Sequence, residues 1–277
     1  MNSPMTDPTT SGDATPAAKK APHPLGWGAF SCFLLLLWLS GLILTSCDDP
    51  SAQGDTDASF SHTSSPGSSA TAFLQDGTYS RLLVEIQYMP GYRPSDSTLD
   101  QLRDFLASHL DKAQIIMLEP QEIPSGNREQ YSAGDIRNIE QSHRKHYSEG
   151  STLASYNLFV DADHTSDNVL GIAYYNTSNA YFGKRIHDVS GTPPLNPSRA
   201  SVEATVMRHE YGHLMGLVNN GTVMQENHQE NGPHCTDESC VMYFAMNRSN
   251  FFANIFDGST PDLCSHCKTD VQAAKED

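Results

Sequence analysis

The sequence predicts one α/β domain in which a mixed, twisted sheet is covered on one side by helices. Short β-branched and aromatic runs alternate with helical patterns, two strand patterns near the middle are separated by a tight turn, and a long helix follows them. The first seventy or so residues of the 277-residue chain do not have the composition of a folded domain. We therefore expect a single domain of about two hundred residues.

The strand patterns are β-branched, aromatic or continuously apolar, and they lie at 81–88, 113–118, 153–163, 168–175 and 179–186. The last two are close enough to predict a hairpin. Helical patterns lie at 96–110 and 133–147. Glycine and prolines at 190–197 interrupt the chain before the long helix, for which Ser201 is the expected N-cap.

The N-terminal region predicts export and a lipid anchor. Residues 29–44 (AFSCFLLLLWLSGLIL) are almost purely apolar but short for a spanning helix, which suits a signal-peptide core. The LTSC that follows resembles a bacterial lipobox, so we expect residues 1–47 to be a signal segment and Cys47 to carry the lipid. An uncleaved single-pass helix is the alternative, and it also places the rest of the chain outside the cytoplasm.

Residues 48–72 are rich in serine, threonine, glycine and aspartate and have almost nothing to bury, which predicts a flexible linker before a domain at 73–277. The chain carries 33 acidic and 17 basic side chains, for a formal net charge of -16. That charge, with no local cluster of lysine and arginine to offset it, excludes nucleic acid as an expected partner.

The stretch HEYGH carries the chemistry. His209 and His213 lie one turn apart on a helix, so both imidazoles can reach one metal ion, and Glu210 lies beside them. Zinc at such a site acidifies a bound water and polarises a carbonyl, while the glutamate acts as general base. Gly216 follows three residues after His213, where a glycine can leave the helix with positive φ. These features together predict hydrolysis of peptide bonds.

The motif HEYGHLMG resembles the H-E-x-x-H-x-x-G opening of the metzincin zinc peptidases. HCTDESCVM at 234–242 and CSHC at 264–267 resemble the archaemetzincin branch of that clan. The resemblance covers about residues 202–267. It implies a metzincin-like zincin domain with an active-site helix, a C-terminal subdomain stapled by zinc or disulfides, and Met242 in the turn beneath the metal. It also implies that the strand at 168–175 is the cleft rim that pairs with the substrate backbone.

The resemblance leaves the third zinc ligand open, because the expected histidine position is Asn219, whose amide oxygen is a poor zinc ligand. A loop, NNGTVMQENHQENGP, follows as though inserted, and loop length costs little entropy. His234 and His228 both remain candidates. We favour His234, because its spacing to the cysteines and to Met242 keeps the family pattern.

Four cysteines form two close pairs, which is typical of a zinc site: Cys235, Cys240, Cys264 and Cys267. Two disulfides are the alternative, and the oxidising cell envelope favours them. The resemblance and the adjacency of His234 and Cys235 favour structural zinc. We thus expect one catalytic zinc and a second, structural zinc.

The predicted protein is a membrane-anchored zinc metalloendopeptidase of the bacterial cell envelope, with a peptide or protein as substrate. A non-catalytic zinc-binding envelope lipoprotein that binds a peptide or glycan is the main alternative. The presence of Glu210 argues against this alternative, because a non-catalytic metal site does not require a carboxylate that can act as a base. A disulfide-stabilised interaction module without metal would require the histidine spacing to be accidental.

Overall fold

A mixed sheet with helices on both faces forms the framework of the protein. The computed structural model describes residues 60–192, 196–248 and 260–276, all of which belong to the compact unit Asp57–Asp277. The expected signal segment, with Cys47, lies outside the described residues. In the part of the chain that is described, no helix combines the length and the apolar character needed to cross a bilayer.

The helices have the following bounds: α1 Ala70–Leu74, α2 Asp96–His109, α3 Ala133–His143, α4 Gly183–Val189, α5 Arg199–Leu214 and α6 Ser265–Glu276. The strands are β1 Arg81–Tyr88, β2 Gln114–Met117, β3 Gln121–Glu122, β4 Gln130–Tyr131, β5 Thr152–Val160, β6 Asp163–His164, β7 Gly171–Tyr175, β8 Ser178–Phe182, β9 Gln229–Glu230 and β10 His234–Cys235. A 3₁₀ turn spans Phe244–Asn247.

The main sheet has the order β2-β1-β5-β8-β7, with β3 also paired to β1. Its strand pairs are parallel except β7, which runs antiparallel to β8. The structure therefore confirms the mixed sheet and the hairpin predicted from the two middle strand patterns. Because β7 is the last strand in this order, only the side that pairs with β8 continues the sheet. The other side of β7 is an edge of the sheet, and this edge borders the site described below.

Helices cover both faces of this sheet, so the expectation of helices on one side was wrong. On one face α2 and α5 pack against Leu82, Leu153 and their neighbours, and on the other α3 packs Ile136 against Tyr156 and Leu158. The physical reason is the parallel pairing of β5 on both sides, since strands in such a position are buried on both faces. Its sequence is accordingly buried without interruption from Leu153 to Val160.

Three predicted boundaries also differ. The strand predicted to 186 ends at Phe182, where α4 begins, and the helix predicted to 147 ends at His143. The N-cap of α5 is Ser198 rather than Ser201, because the Ser198 side chain accepts a hydrogen bond from the backbone N–H of Ser201.

The fold also begins earlier than predicted. From residue 60 on, the segment assigned to the flexible linker is packed, whereas residues 48–59 lie outside the described residues. His62 is buried, with Nδ1 2.9 Å from Thr177 Oγ1, and its Nε2 accepts a hydrogen bond from Ser148 N at 3.0 Å. Composition did not reveal this packing, because hydrogen bonds rather than apolar burial tie much of the segment down.

Candidate metal centres

Helix α5 carries the HEYGH motif, and nearly all of its residues are buried. Tyr211, within the motif, fixes how the helix is turned about its axis. Its hydroxyl lies 2.9 Å from Ser155 Oγ and accepts a hydrogen bond from Asn157 Nδ2 at 2.9 Å, both on β5. The sheet thereby anchors one side of the helix while the histidines face the other way.

Three imidazoles converge at the end of this helix. One ring nitrogen from each of His209, His213 and His234 lies within 4.8 Å of the others. The Nε2 atoms of His209 and His213 are 3.2 Å apart. Two ligands in a tetrahedral zinc site with bonds near 2.05 Å would be separated by roughly 3.3 Å. The spacing of these donors therefore fits zinc.

Hydrogen bonds orient two of the rings. His209 Nδ1 donates to the carbonyl of Val241 at 2.7 Å, and His234 Nδ1 donates to the carbonyl of Asn231 at 2.8 Å. Because Nδ1 of each of these two rings is used in a hydrogen bond, Nε2 is the nitrogen that remains to bind a metal ion, as in many metal-bound histidines. His234 Nε2 and His213 Nδ1 are buried without a hydrogen-bond partner.

Burial keeps these rings neutral. It lowers the pKa of His209 to about 3 and that of His213 well below the usual value, and neighbouring histidines add to both shifts. Burial also lowers the pKa of His234. Neutral imidazole is the form that binds a metal ion, and three bare nitrogens facing one another are costly unless a cation lies among them.

His228, the alternative third ligand, lies elsewhere. Its Nε2 is 2.7 Å from Asp270 Oδ2 on α6, and both side chains are buried. The side chain of His228 also interacts with the thiol of Cys235. The structure thus brings His234, and not His228, to the two histidines of α5.

The loop after α5 allows His234, which follows the expected ligand position Asn219 by fifteen residues, to reach the histidines of α5. Gly216 has φ +70°, as predicted for a glycine that ends the helix, and Asn219 also has positive φ. The Asn219 amide lies 3.5 Å from Gln229 Oε1 rather than among the histidines. The chain then returns through β9 and β10, which pair antiparallel and place His234 opposite Glu230.

Glu210 lies in a cleft against β7. Burial raises the pKa of Glu210 to about 8, and the nearby backbone N–H of Ala173 and side chain of Asn247 oppose this shift. Glu210 Oε1 is buried and has no hydrogen-bond partner among the described residues. A Cβ on Gly171 would lie 3.0 Å from Glu210 Oε1, so this glycine lets the strand approach the carboxylate. The cleft encloses about 330 Å³, and Glu210, His213 and His234 line it.

Met242 is buried against α5, where Gly212 makes room for it. A Cβ on Gly212 would lie 2.0 Å from Met242 Sδ. The neighbouring carbonyl of Val241 is the one that orients His209. The sequence reading missed Gly212, Ala173 and Asn247. Only Gly212 carried a signal, as a glycine inside a buried helix.

The four cysteines form a second cluster, with one sulfur from each within 4.8 Å of the others. Cys235 Sγ is 3.6 Å from Cys264 Sγ, and Cys240 Sγ is 3.7 Å from Cys267 Sγ. A disulfide requires about 2.05 Å, whereas thiolates around tetrahedral zinc are separated by roughly 3.8 Å. All four are free cysteines, so the geometry favours a metal site over two disulfides.

Electrostatics within this cluster favour partial ionisation. The hydrogen bond with Cys240 lowers the pKa of Cys235 to about 6, and contacts with the other thiols lower the pKa of Cys264 as well. The same contacts raise the pKa of Cys240 and Cys267. Thiolates are the form that binds zinc. Because His234 and Cys235 are adjacent in β10, one short strand supplies both clusters.

A scan against models of protein families finds no match to this chain, and no curated protein matches it. Among solved structures, the chain is similar to an archaemetzincin from Methanopyrus kandleri, with 19% identity, a TM-score of 0.48, and coverage of 72% of this chain and 96% of the other. It is also similar to metalloproteinase-II from Bacteroides fragilis, with 13% identity, a TM-score of 0.41, and coverage of 75% and 61%.

Proposed function

We propose that this protein is a zinc-dependent peptidase. The observation that carries the proposal is the placement of the Glu210 carboxylate beside three converging imidazoles, in a cleft bordered by the edge of a sheet. The histidines, His209, His213 and His234, would hold the ion. A bound zinc ion supplies Lewis acidity, which acidifies a water molecule and polarises the peptide carbonyl.

In this proposal Glu210 is the general base. A cation held by the histidines would favour the ionised form of Glu210, whose carboxylate takes a proton from water in the cleft and delivers it to the amine of the leaving peptide. The nearby backbone N–H of Ala173 and side chain of Asn247 favour the ionised form of this carboxylate. Burial of the helix excludes bulk solvent from the other side of the site, which strengthens the electrostatic interactions within it.

The substrate would bind to β7. This strand pairs with β8 on one side, and its other side faces the cleft, where Gly171, Ile172 and Ala173 line the wall. An extended peptide can add to such an edge through backbone hydrogen bonds. Recognition of this kind favours a peptide backbone over a glycan. It therefore supports a peptidase over a glycan-binding lipoprotein.

The test compares the full-length protein, purified in detergent and loaded with zinc, with its Glu210→Gln variant. We expect the variant to keep its zinc and to lose about 10²- to 10⁴-fold in kcat for a peptide library, the range typical of a general base. Equal cleavage by the two proteins would exclude this role of Glu210. Full zinc binding without any cleavage would instead support the non-catalytic alternative.

We also propose, from the sequence alone, that the protein is anchored at the cell envelope by a lipid on Cys47. The matched test is Cys47→Ser against Cys32→Ser, since Cys32 lies in the same apolar stretch but outside the lipobox-like motif. Only Cys47→Ser is expected to prevent incorporation of labelled palmitate and to impair processing of the signal segment. Equal labelling of both variants would contradict the anchor.

We propose that the second cluster holds a structural zinc ion through Cys235, Cys240, Cys264 and Cys267. The sulfur separations and the free thiols support this assignment. Metal analysis of the purified protein is the direct test. Two zinc ions per chain are expected, and a single ion with two disulfides would refute the structural site.

A further inference from the structure

The edge of β7 that faces the cleft is already occupied at both of its ends. At one end the backbone N–H of Asn176 donates to the carbonyl of Ser64 at 2.9 Å. At the other, Leu170 N donates to the carbonyl of Asn247 at 2.9 Å, and Val169 and Arg248 form an antiparallel bridge. Two other segments of the chain therefore limit the length of edge that a peptide can use.

We call these two segments stops. The first stop lies at the Asn176 end of β7 and is formed by residues 61–69, which we call the strap. Asn176 Nδ2, in the turn between β7 and β8, donates to the carbonyl of Ser61 at 2.8 Å and to Ser69 Oγ at 2.7 Å. Asn220 Nδ2, in the loop after α5, donates to the carbonyl of Pro66 at 3.4 Å. The strap is thus tied both to the turn between β7 and β8, at the rim of the cleft, and to the loop after α5, at its floor.

Close backbone contact holds the strap against the floor. Gly67 has φ +82°, and a Cβ on it would lie 1.6 Å from the carbonyl oxygen of Asn220. On the facing segment Gly221 has φ +132°, and a Cβ there would lie 2.2 Å from the carbonyl oxygen of Gly67. Only glycine fits at either position without displacing backbone. The close contact between the strap and the floor of the cleft therefore depends on both glycines.

The space between the stops is short. From Leu170 to Asn176 there are six residue steps, which at 3.3 Å each span at most about 20 Å. The cleft of about 330 Å³ has Ser65 and Pro66 of the strap in its wall, together with Asn247 of the other stop. Five residues, Gly171–Tyr175, lie between the two occupied positions, so an added peptide strand can place only about five or six residues along β7.

We propose that the cleft accepts short peptides, of about six residues or fewer, because the strap and the Asn247 segment prevent longer chains from lying along β7. This inference rests on the proposed peptidase function. It departs from the expectation of an endopeptidase acting on proteins, which needs a cleft that an extended chain can pass through at both ends. The protein would then act as an oligopeptidase.

The test uses a series of peptides of 3 to 12 residues that share one central bond and have neutral flanking residues. Zinc-loaded full-length protein is expected to give its highest kcat/KM at about four to six residues, with at least a tenfold fall at twelve. Equal kcat/KM for five and twelve residues, or digestion of an unfolded protein at many internal bonds, would overturn the inference. Failure to cleave any peptide would refute the proposed function and, with it, this inference.

Binding gives a readout that does not require turnover. Affinities of the same peptides for the Glu210→Gln variant, measured by calorimetry, are expected to follow the same dependence on length. If affinity instead grows steadily up to twelve residues, the stops do not act on the ground-state complex and the inference fails.

Two variants test the strap itself. Ser65 lines the cleft, whereas Ser68 is exposed on the same strap but does not line it. Ser65→Trp is expected to shift the preferred length down by at least one residue, and Ser68→Trp to leave the length profile unchanged. Pro66→Ala trims the wall and should raise the relative kcat/KM of the longest peptides several-fold. An unchanged profile in both Ser65→Trp and Pro66→Ala would exclude the strap as a stop.

Discussion

His228 and Asp270 form a buried pair, with His228 Nε2 2.7 Å from Asp270 Oδ2, and this pair joins the loop after α5 to α6. Asp270 Oδ1 also accepts a hydrogen bond from Gln225 N at 2.7 Å. Burial acts to lower the pKa of His228, but its interactions with the Asp270 carboxylate and with the nearby Cys235 thiol outweigh burial and raise the pKa. His228 therefore supports the cysteine cluster from outside, as hydrogen-bonded residues around metal ligands commonly do.

The two candidate third ligands should respond differently to substitution. We expect His234→Ala to lose one zinc ion per chain together with peptide cleavage, because it removes a donor from the histidine cluster. His228→Ala should keep the zinc held by the histidines and instead weaken the cysteine site by about 10- to 100-fold. Metal analysis after dialysis against graded chelator checks both. Loss of the catalytic zinc in the His228→Ala variant alone would contradict the assignment of His234.

The thiols of the cysteine cluster should become reactive only after metal removal. Because two pairs of sulfurs lie 3.6 and 3.7 Å apart, well beyond the length of a disulfide bond, we expect four free thiols per folded domain once zinc is chelated. Cobalt in place of zinc should give the intense thiolate-to-metal charge-transfer bands of a four-cysteine site, and Cys267→Ser should weaken them. Absence of reactive thiols in chelated, unreduced protein would support disulfides instead.

Gly212 should not tolerate alanine. The added methyl would overlap Met242 Sδ, so the methionine or the helix must move, and overpacking of this kind costs about 1–3 kcal/mol. Gly134 near the start of α3 is the matched control, since the nearest atom to a Cβ there is Ser132 Oγ at 3.6 Å. Gly134→Ala should be neutral or stabilise by up to about 1 kcal/mol. Denaturant unfolding measures both, and equal effects of the two would contradict the packing of Met242.

Stability should fall in mild acid because of His62. Burial, and then the charge of Arg144, lower the pKa of His62 to about 4. The unfolded chain therefore binds more protons than the folded chain between about pH 6.5 and pH 4, so stability is lost as pH falls through that window. The contribution is about 2 kcal/mol between pH 7 and pH 5.

The His62→Gln variant isolates this contribution from the other histidines. Its free energy of unfolding should change less between pH 7 and pH 5 than that of the native protein, by the amount given above. Tyr147 packs against the His62 ring on the surface and offers the control, because Tyr147→Leu removes a neighbour without removing the titrating group. An identical pH dependence of the native and His62→Gln proteins would refute the role of His62.

Much of the site could be predicted because its signals are local. His209, Glu210 and His213 follow from the spacing of residues on a single helix, and the positive φ of Gly216 follows from its place at the helix end. The hairpin of β7 and β8 likewise follows from two strand patterns and a tight turn. In each case residues that are close in sequence are also close in space, so the sequence pattern predicts their relative positions.

The sequence by itself determined the motif helix, the mixed sheet and the set of residues able to bind metal. Only the tertiary structure decided that His234 rather than His228 meets the helix histidines, that the cysteine sulfurs lie at metal-site distances, that α3 covers the second face, and that residues 60–72 belong to the fold. The physical reason is that each of these depends on contacts between segments far apart in sequence. A flexible loop allows many such contacts at similar entropic cost, and packing and hydrogen bonding select one of them.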